Sequence, residues 1–204
     1  MRRTLLTIVG LLALAVPASA RAGHMVTVAL EAGGAFHSVF SGLGSTVGGG
    51  IEGGVVLLHD RLDVSLSLAY DQPGWTLSAS DPRLVATGGD FDWTLEQQIL
   101  VLGLVGRYRF LTGKSGWDVY GCLGPKLYML HTSVNGASGG QSFGENQQFD
   151  TEVGLLAGLG GELKVGPGSA LVEVDLNAAG LQGLVTGKVA ASALGAVVGY
   201  RLMF

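Results

Sequence analysis

Residues 190–204, AASALGAVVGYRLMF, decide how the rest of the chain is read. The even positions Leu194, Ala196, Val198, Tyr200, Leu202 and Phe204 are all apolar. The odd positions Gly195, Val197, Gly199, Arg201 and Met203 are a mixed set that includes a charge. A period of two means a β-strand with one apolar face. The opposite end of the chain reads as a leader. Arg2 and Arg3 precede an apolar run from Leu5 to Val16, and Ala18-Ser19-Ala20 has the small-x-small form of a cleavage site. The run is short for a membrane span. Residues 1–20 are therefore expected to be an export signal of the Sec type, cut after Ala20 or, through Ala20-Arg21-Ala22, after Ala22. No Cys stands at the cleavage site, so a lipoprotein anchor is not expected.

The remaining residues, 21–204, fit one domain. Apolar residues make up 48% of the chain, yet no later run approaches the length of a helical span. Hydrophobicity is spread over many short alternating segments instead. Of 204 residues, 35 are glycine, far above the usual share of about 7% and without a collagen period. Glycines recur inside strand-like segments, which suits the crowded interior of a small barrel. A net charge of −4 and the lack of a basic cluster exclude a nucleic-acid binder. Cys122 is the single cysteine, so no intrachain disulfide can form.

Eight alternating segments can be phased by their charges. Val26–Gly34 and Val47–Leu57 place Glu31 and Glu52 opposite their apolar faces. In Leu62–Tyr70, Leu62, Val64, Leu66 and Leu68 alternate with Asp63, Ser65 and Ser67. His59-Asp60-Arg61 reads as the turn before it. In Ile99–Phe110 both faces are apolar for half the length, and Arg107 and Arg109 set the phase by pointing inward. In Trp117–Met129, Asp118 and Lys126 share a parity, and Pro125, which has no N–H to donate, predicts a bulge or irregularity. Phe149–Leu159 alternates with Asp150, Glu152 and Glu162. Val172, Val174 and Leu176 alternate with Glu173 and Asp175. One parity per segment collects the charges, among them Glu31, Glu52, Asp63, Arg107, Arg109, Asp118, Lys126, Glu162, Lys164, Glu173, Asp175 and Arg201. The other face carries none. A charge at mid-bilayer on a lipid-facing barrel wall costs about 2–4 kcal/mol, so the uncharged face is the one that faces lipid.

Connections alternate between short (His59–Arg61, Leu111–Gly116, Gly166–Ser169) and long (His37–Thr46, Gln72–Thr94, His131–Gln148, Gly180–Lys188). Outer-membrane barrels have short periplasmic turns and long external loops. Aromatics fall in two bands: Phe36, Tyr70 and Phe149 toward the outer rim, and Tyr108, Phe110, Trp117, Tyr200 and Phe204 toward the periplasmic one. The expected fold is all-β, an eight-stranded antiparallel up-and-down transmembrane β-barrel.

On these patterns the chain resembles the small eight-stranded outer-membrane barrels of Gram-negative bacteria, the group around outer-membrane proteins A and X. Tyr200, Leu202 and Phe204 are similar to the carboxy-terminal assembly signal of that group, which implies the barrel assembly machinery as a partner during biogenesis. The resemblance also implies outer-membrane lipids and lipopolysaccharide as surroundings. Full-length outer-membrane protein A continues into a peptidoglycan-binding domain; none is expected here. Inward Glu31, Glu52, Arg107, Arg109, Lys126, Glu173, Asp175 and Arg201 are expected to pair across a lumen that side chains fill, with Arg107, Arg109, Lys126 and Arg201 each touching a carboxylate.

Three functional readings stand. The leading one is a non-enzymatic, porin-like envelope barrel whose external loops serve adhesion, partner contact or envelope stability, with a ligand that composition does not name. The second is a narrow pore. The third rests on His131, Ser133 and Glu145. The spacing His-x-Ser, then Glu twelve residues on, is similar to the catalytic set of lipid A deacylases, which implies a His base, a Ser nucleophile and an orienting Glu. Against it, position 134 is Val where that family has Asn, the motif precedes the sixth strand rather than lying in the last hairpin, and Asn135–Gln148 reads as a loop. The three are expected not to connect. Gly113-Lys114-Ser115 lacks the first glycine of a phosphate loop and reads as a turn. The glycines around Gly42, Gly44 and Gly48–Gly50 lack the strand-to-helix order of a nucleotide site. Asp90, Asp92 and Glu96 read as solvated loop acids. His24, His37 and His59 have no metal spacing. No metal or cofactor is expected.

Overall fold

A computed structural model describes residues 25–37, 44–58, 61–80, 90–138, 141–183, 187–190 and 192–204. The leader, His24, Gly42 and His59–Asp60 lie outside the described residues, as does the Asp90 side chain. Eleven strands are formed: β1 (Met25–Phe36), β2 (Thr46–Leu57), β3 (Leu62–Asp71), β4 (Gly74–Ser80), β5 (Asp90–Thr112), β6 (Trp117–Ser138), β7 (Gln141–Val165), β8 (Gly168–Ala178), β9 (Gly180–Gly183), β10 (Gly187–Ala190) and β11 (Ala193–Met203).

Eight of them close a ring of antiparallel pairs in the order β1-β2-β3-β5-β6-β7-β8-β11. The last strand returns to the first, with Leu202 opposite Val28 and Leu194 opposite Phe36. Val26 and Phe204 exchange both backbone hydrogen bonds, at 3.0 and 2.9 Å. Closure leaves no sheet edge within the ring, which is the condition for strands to cross lipid.

The burial pattern is that of a soluble protein turned inside out. Leu66 is 61% exposed, Leu155 58%, Val174 52% and Val198 56%, all on the outer wall with Leu102. Arg201 and Asp63 are 0% exposed, and Glu52, Arg107 and Glu173 are buried with them. Only lipid accepts such an outer wall without penalty, and only mutual pairing makes such an interior tolerable.

Two expectations are corrected, and a third holds as an irregularity. Pro125 interrupts the ladder without a bulge. The β5–β6 register is the same on either side of it, at Gly103↔Lys126 and Gly106↔Leu123, and only the pairs between are lost. The missing donor thins the ladder without adding a residue. The bulge falls at Phe110, between Arg109↔Tyr120 and Leu111↔Val119, and turns both Phe110 and Leu111 outward. Lys164 is exposed rather than luminal, because it sits beside the Gly116 turn at the rim, where its N–H donates to the Gly116 carbonyl. Finally, much of the predicted external loop structure is regular sheet. β4 continues the register of β3 along β5, after a break at Gln72–Pro73. β6 and β7 pair from Trp117↔Leu163 to Ser138↔Gln141. β9 and β10 form a small hairpin.

Candidate functional site

The lumen is crossed by a chain of ion pairs. Arg107 reaches Glu52 at 2.6 Å, Glu173 at 3.2 Å and Glu31 at 3.7 Å. It also donates to Ser65 Oγ at 3.2 Å and lies over the Tyr120 ring. Arg201 reaches Glu162 at 2.9 Å, Glu52 at 3.3 Å and Asp63 at 3.8 Å. Arg109 donates to Glu162 and lies 4.0 Å from Asp118. Thr27 Oγ1 donates to Asp63 at 3.5 Å. Each strand of the ring contributes at least one of these charged groups, from Glu31 on β1 to Arg201 on β11, and β5 contributes both Arg107 and Arg109. Guanidinium forks suit this arrangement because one planar group can serve several carboxylates.

Lys126 departs from the expectation. Its Nζ donates to Asn177 Oδ1 at 2.7 Å, and among the described residues no carboxylate is within ion-pair range. Asn177 also accepts from Tyr128 and donates to Asp175, so it links Lys126 to Asp175 without a direct pair. Ser65 and Tyr120 are partners of Arg107 that the sequence analysis did not single out. The signal for Tyr120 is its parity, which it shares with inward Asp118 and Lys126.

His131, Ser133 and Glu145 lie on one outer face of the β6–β7 hairpin, above the lipid-facing band. The predicted loop is an ordered ladder there, because each residue pairs across it: His131 with Phe149, Ser133 with Gln147 and Asn135 with Glu145. Ser133 Oγ donates directly to Glu145 Oε1 at 2.9 Å, and Gln147 donates to the same oxygen at 2.6 Å. These two bonds, Gln147's first, hold the Glu145 carboxyl below its ordinary pKa. The His131 ring stacks on Phe149 with centroids 4.2 Å apart and 6° between planes. Its Nε2 is buried without a hydrogen-bond partner. The structure thus joins Ser to Glu and leaves His aside. A catalytic relay needs the imidazole between them.

The remaining motifs fall into place as backbone features. Gly113–Gly116 is a turn, closed by Gly113 N to Trp117 O at 2.7 Å and Gly116 N to Gly113 O at 3.0 Å. Asp92 and Glu96 are exposed on β5. His37 is buried at the outer mouth of the lumen, 3.6 Å from Asp71. No group of three potential metal ligands occurs among the described residues.

A closed eight-strand ring with a charged interior, an apolar wall and short turns at one end invites comparison with solved membrane barrels. Neisserial surface protein A superimposes with a TM-score of 0.51 at 18% identity, over 90% of this chain and 98% of that one. The chain has the fold of the small eight-stranded outer-membrane barrels. A major outer membrane protein from Thermus thermophilus gives the same TM-score, 0.51, at 13% identity, over 88% of this chain and 99% of that one. No protein-family model matches the sequence, and no curated protein does.

Proposed function

We propose that this eight-stranded barrel resides in the bacterial outer membrane, reached by Sec-type export and the barrel assembly machinery. In this reading it is not an enzyme, and it meets an extended protein segment outside the cell along the edge of its projecting sheet. The observation that carries the reading is strand length. A tilted strand crosses the hydrocarbon in about 9–11 residues, and β3 is 10 residues long. By contrast β5, β6 and β7 run for 23, 22 and 25 residues. With β4 they build a four-stranded sheet that stands beyond the barrel rim.

Both edges of that sheet lack a ladder partner among the described residues, β4 on one side and β7 on the other, and the β7 edge is the longer. β8 pairs with β7 only from Leu155 toward the periplasm, so Gln141–Gly154 has no ladder partner on that side among the described residues. An unpaired edge offers a row of N–H and C=O groups, and adding a strand is a general mode of peptide recognition. Gln141–Gly154 lacks Lys and Pro, and its charges are the acids Glu145, Asp150 and Glu152.

The test uses whole cells displaying the chain and a library of random twelve-residue peptides. In the control variant, residues 134–146 are replaced by Asn-Gly, a two-residue turn that joins the paired Ser133 and Gln147. Peptides enriched on the intact chain should bind at least about tenfold more weakly to the shortened one. Equal binding to both would refute the edge as the contact.

A further inference from the structure

Beyond the ion-pair chain, toward the outer mouth, the lumen opens into a cavity of about 120 Å³. Its charged and amide lining is Glu31, His37, Asp71, Lys126, Asp175 and Asn177, Tyr70 and Tyr128 add hydroxyls, and Ile99 and Val101 supply an apolar wall. Both signs of charge are present and neither is fully used. Lys126 has Asn177 as its hydrogen-bond acceptor, and no carboxylate is in ion-pair range among the described residues. An ammonium carries three donors. On the other side, Glu31 Oε1 and Asp71 Oδ1 are buried with no hydrogen-bond donor. Arg107 is 3.7 Å from the first, too long for a hydrogen bond. The cavity therefore holds spare donors at one place and spare acceptors at another. The three arginines of the lumen, in contrast, each serve two or more carboxylates.

We propose that this cavity binds a small zwitterion of amino-acid type, its carboxylate on Lys126 and its ammonium between Glu31 and Asp71. Size sets the class. An apolar cavity of about 150 Å³ admits benzene, so this one suits a molecule of roughly six non-hydrogen atoms. Glycine and alanine fit within it. Among the described residues the lining gives no cluster of three side chains placed to hold a metal ion, which favours an organic cation over a bare metal ion. A ligand with one charge alone satisfies only one side of the cavity. This inference concerns the lumen and stands apart from the sheet edge.

The experiment is calorimetric titration of the full chain, refolded in detergent, with glycine, acetate and methylammonium at matched ionic strength. Glycine should saturate and bind at least about tenfold tighter than either half-ligand. Lys126→Gln should remove the advantage of glycine over methylammonium, and Asp71→Asn its advantage over acetate. The shifted gel mobility of the unheated barrel reports folding. If Lys126→Gln does not fold, Asp71→Asn at the mouth still decides the matter. No saturation by glycine, equal affinity for all three compounds, or variants that bind as the parent does would overturn the proposal.

Discussion

Replacing Arg201 by Met is the sharpest test of the lumen. The guanidinium is wholly buried and reaches Glu162, Glu52 and Asp63 at 2.9, 3.3 and 3.8 Å. Methionine keeps most of the stem and removes the charge. A buried ion pair gives little net stability against an apolar pair, but removing one partner is different: the other charge stays buried and uncompensated, at about 3–5 kcal/mol. Here three carboxylates lose one cation. Glu162 keeps Arg109 and Glu52 keeps Arg107, whereas Asp63 falls back on the Thr27 hydroxyl. The loss should therefore lie in the range of about 3–5 kcal/mol rather than at three times that value. The assay is reversible urea unfolding of the barrel in thin lipid vesicles, followed by tryptophan fluorescence and gel mobility. Exposed Arg61→Met is the control and should stay within about 0.5 kcal/mol. The Arg201→Met/Glu162→Gln double variant should lose less than the two single losses combined, since the groups touch. A loss under about 1 kcal/mol for Arg201→Met would refute the view that this network is desolvated and essential to closure.

Other consequences can be checked in the same system. Gly158 and Gly161 lie three apart on β7 and face opposite ways. A methyl on Gly158 would come within 2.8 Å of Cys122 Sγ and the Val174 carbonyl, whereas one on Gly161 has nothing nearer than 3.7 Å. Gly158→Ala should cost about 1–3 kcal/mol in urea unfolding and Gly161→Ala under about 0.5. Leu66→Arg, on the outer wall, should cost about 2–4 kcal/mol in lipid vesicles. Ser133→Ala should leave the acyl-chain pattern of lipid A unchanged by mass spectrometry, since Ser133 donates to Glu145 and not to an imidazole.

The parts of the fold legible in the sequence are those where the two faces of a strand meet different surroundings. β3 and β8 alternate cleanly because one face meets lipid and the other a charged lumen. β5 is apolar on both faces for half its length, and two arginines are enough to fix its phase. Above the rim that contrast weakens. The inner face of the projecting sheet stays buried, with Leu95 against Val134, but polar Gln97, Thr132 and Ser138 share it, so the hydrophobic period is broken and residues 131–148 resemble a loop although the backbone ladder is continuous. Pairing inside the lumen is legible only in part. Parity says that Lys126 and Asp175 point inward. It does not say that Asn177 stands between them, nor that Arg201 meets Glu52 across 149 positions. Those contacts are set by strand tilt and stagger around the ring, which no single segment encodes.

The order of the contacts bears on conduction. Glu173, Arg107, Glu52, Arg201, Glu162, Arg109 and Asp118 follow one another as a continuous chain, because Glu52 and Glu162 each bridge two arginines. The chain runs from β8 to β6 by way of β5, β2, β11 and β7, so it crosses the lumen rather than lining one wall. An ion passing through must separate consecutive pairs, and each separation exposes a buried charge to the low-dielectric interior. Moving an end carboxylate leaves the remaining links in place, and only the bridging acids Glu52 and Glu162 each hold two arginines. They sit on different strands, held by different arginines as well as by the shared Arg201, so the resting lumen is a brace between strands before it is a channel.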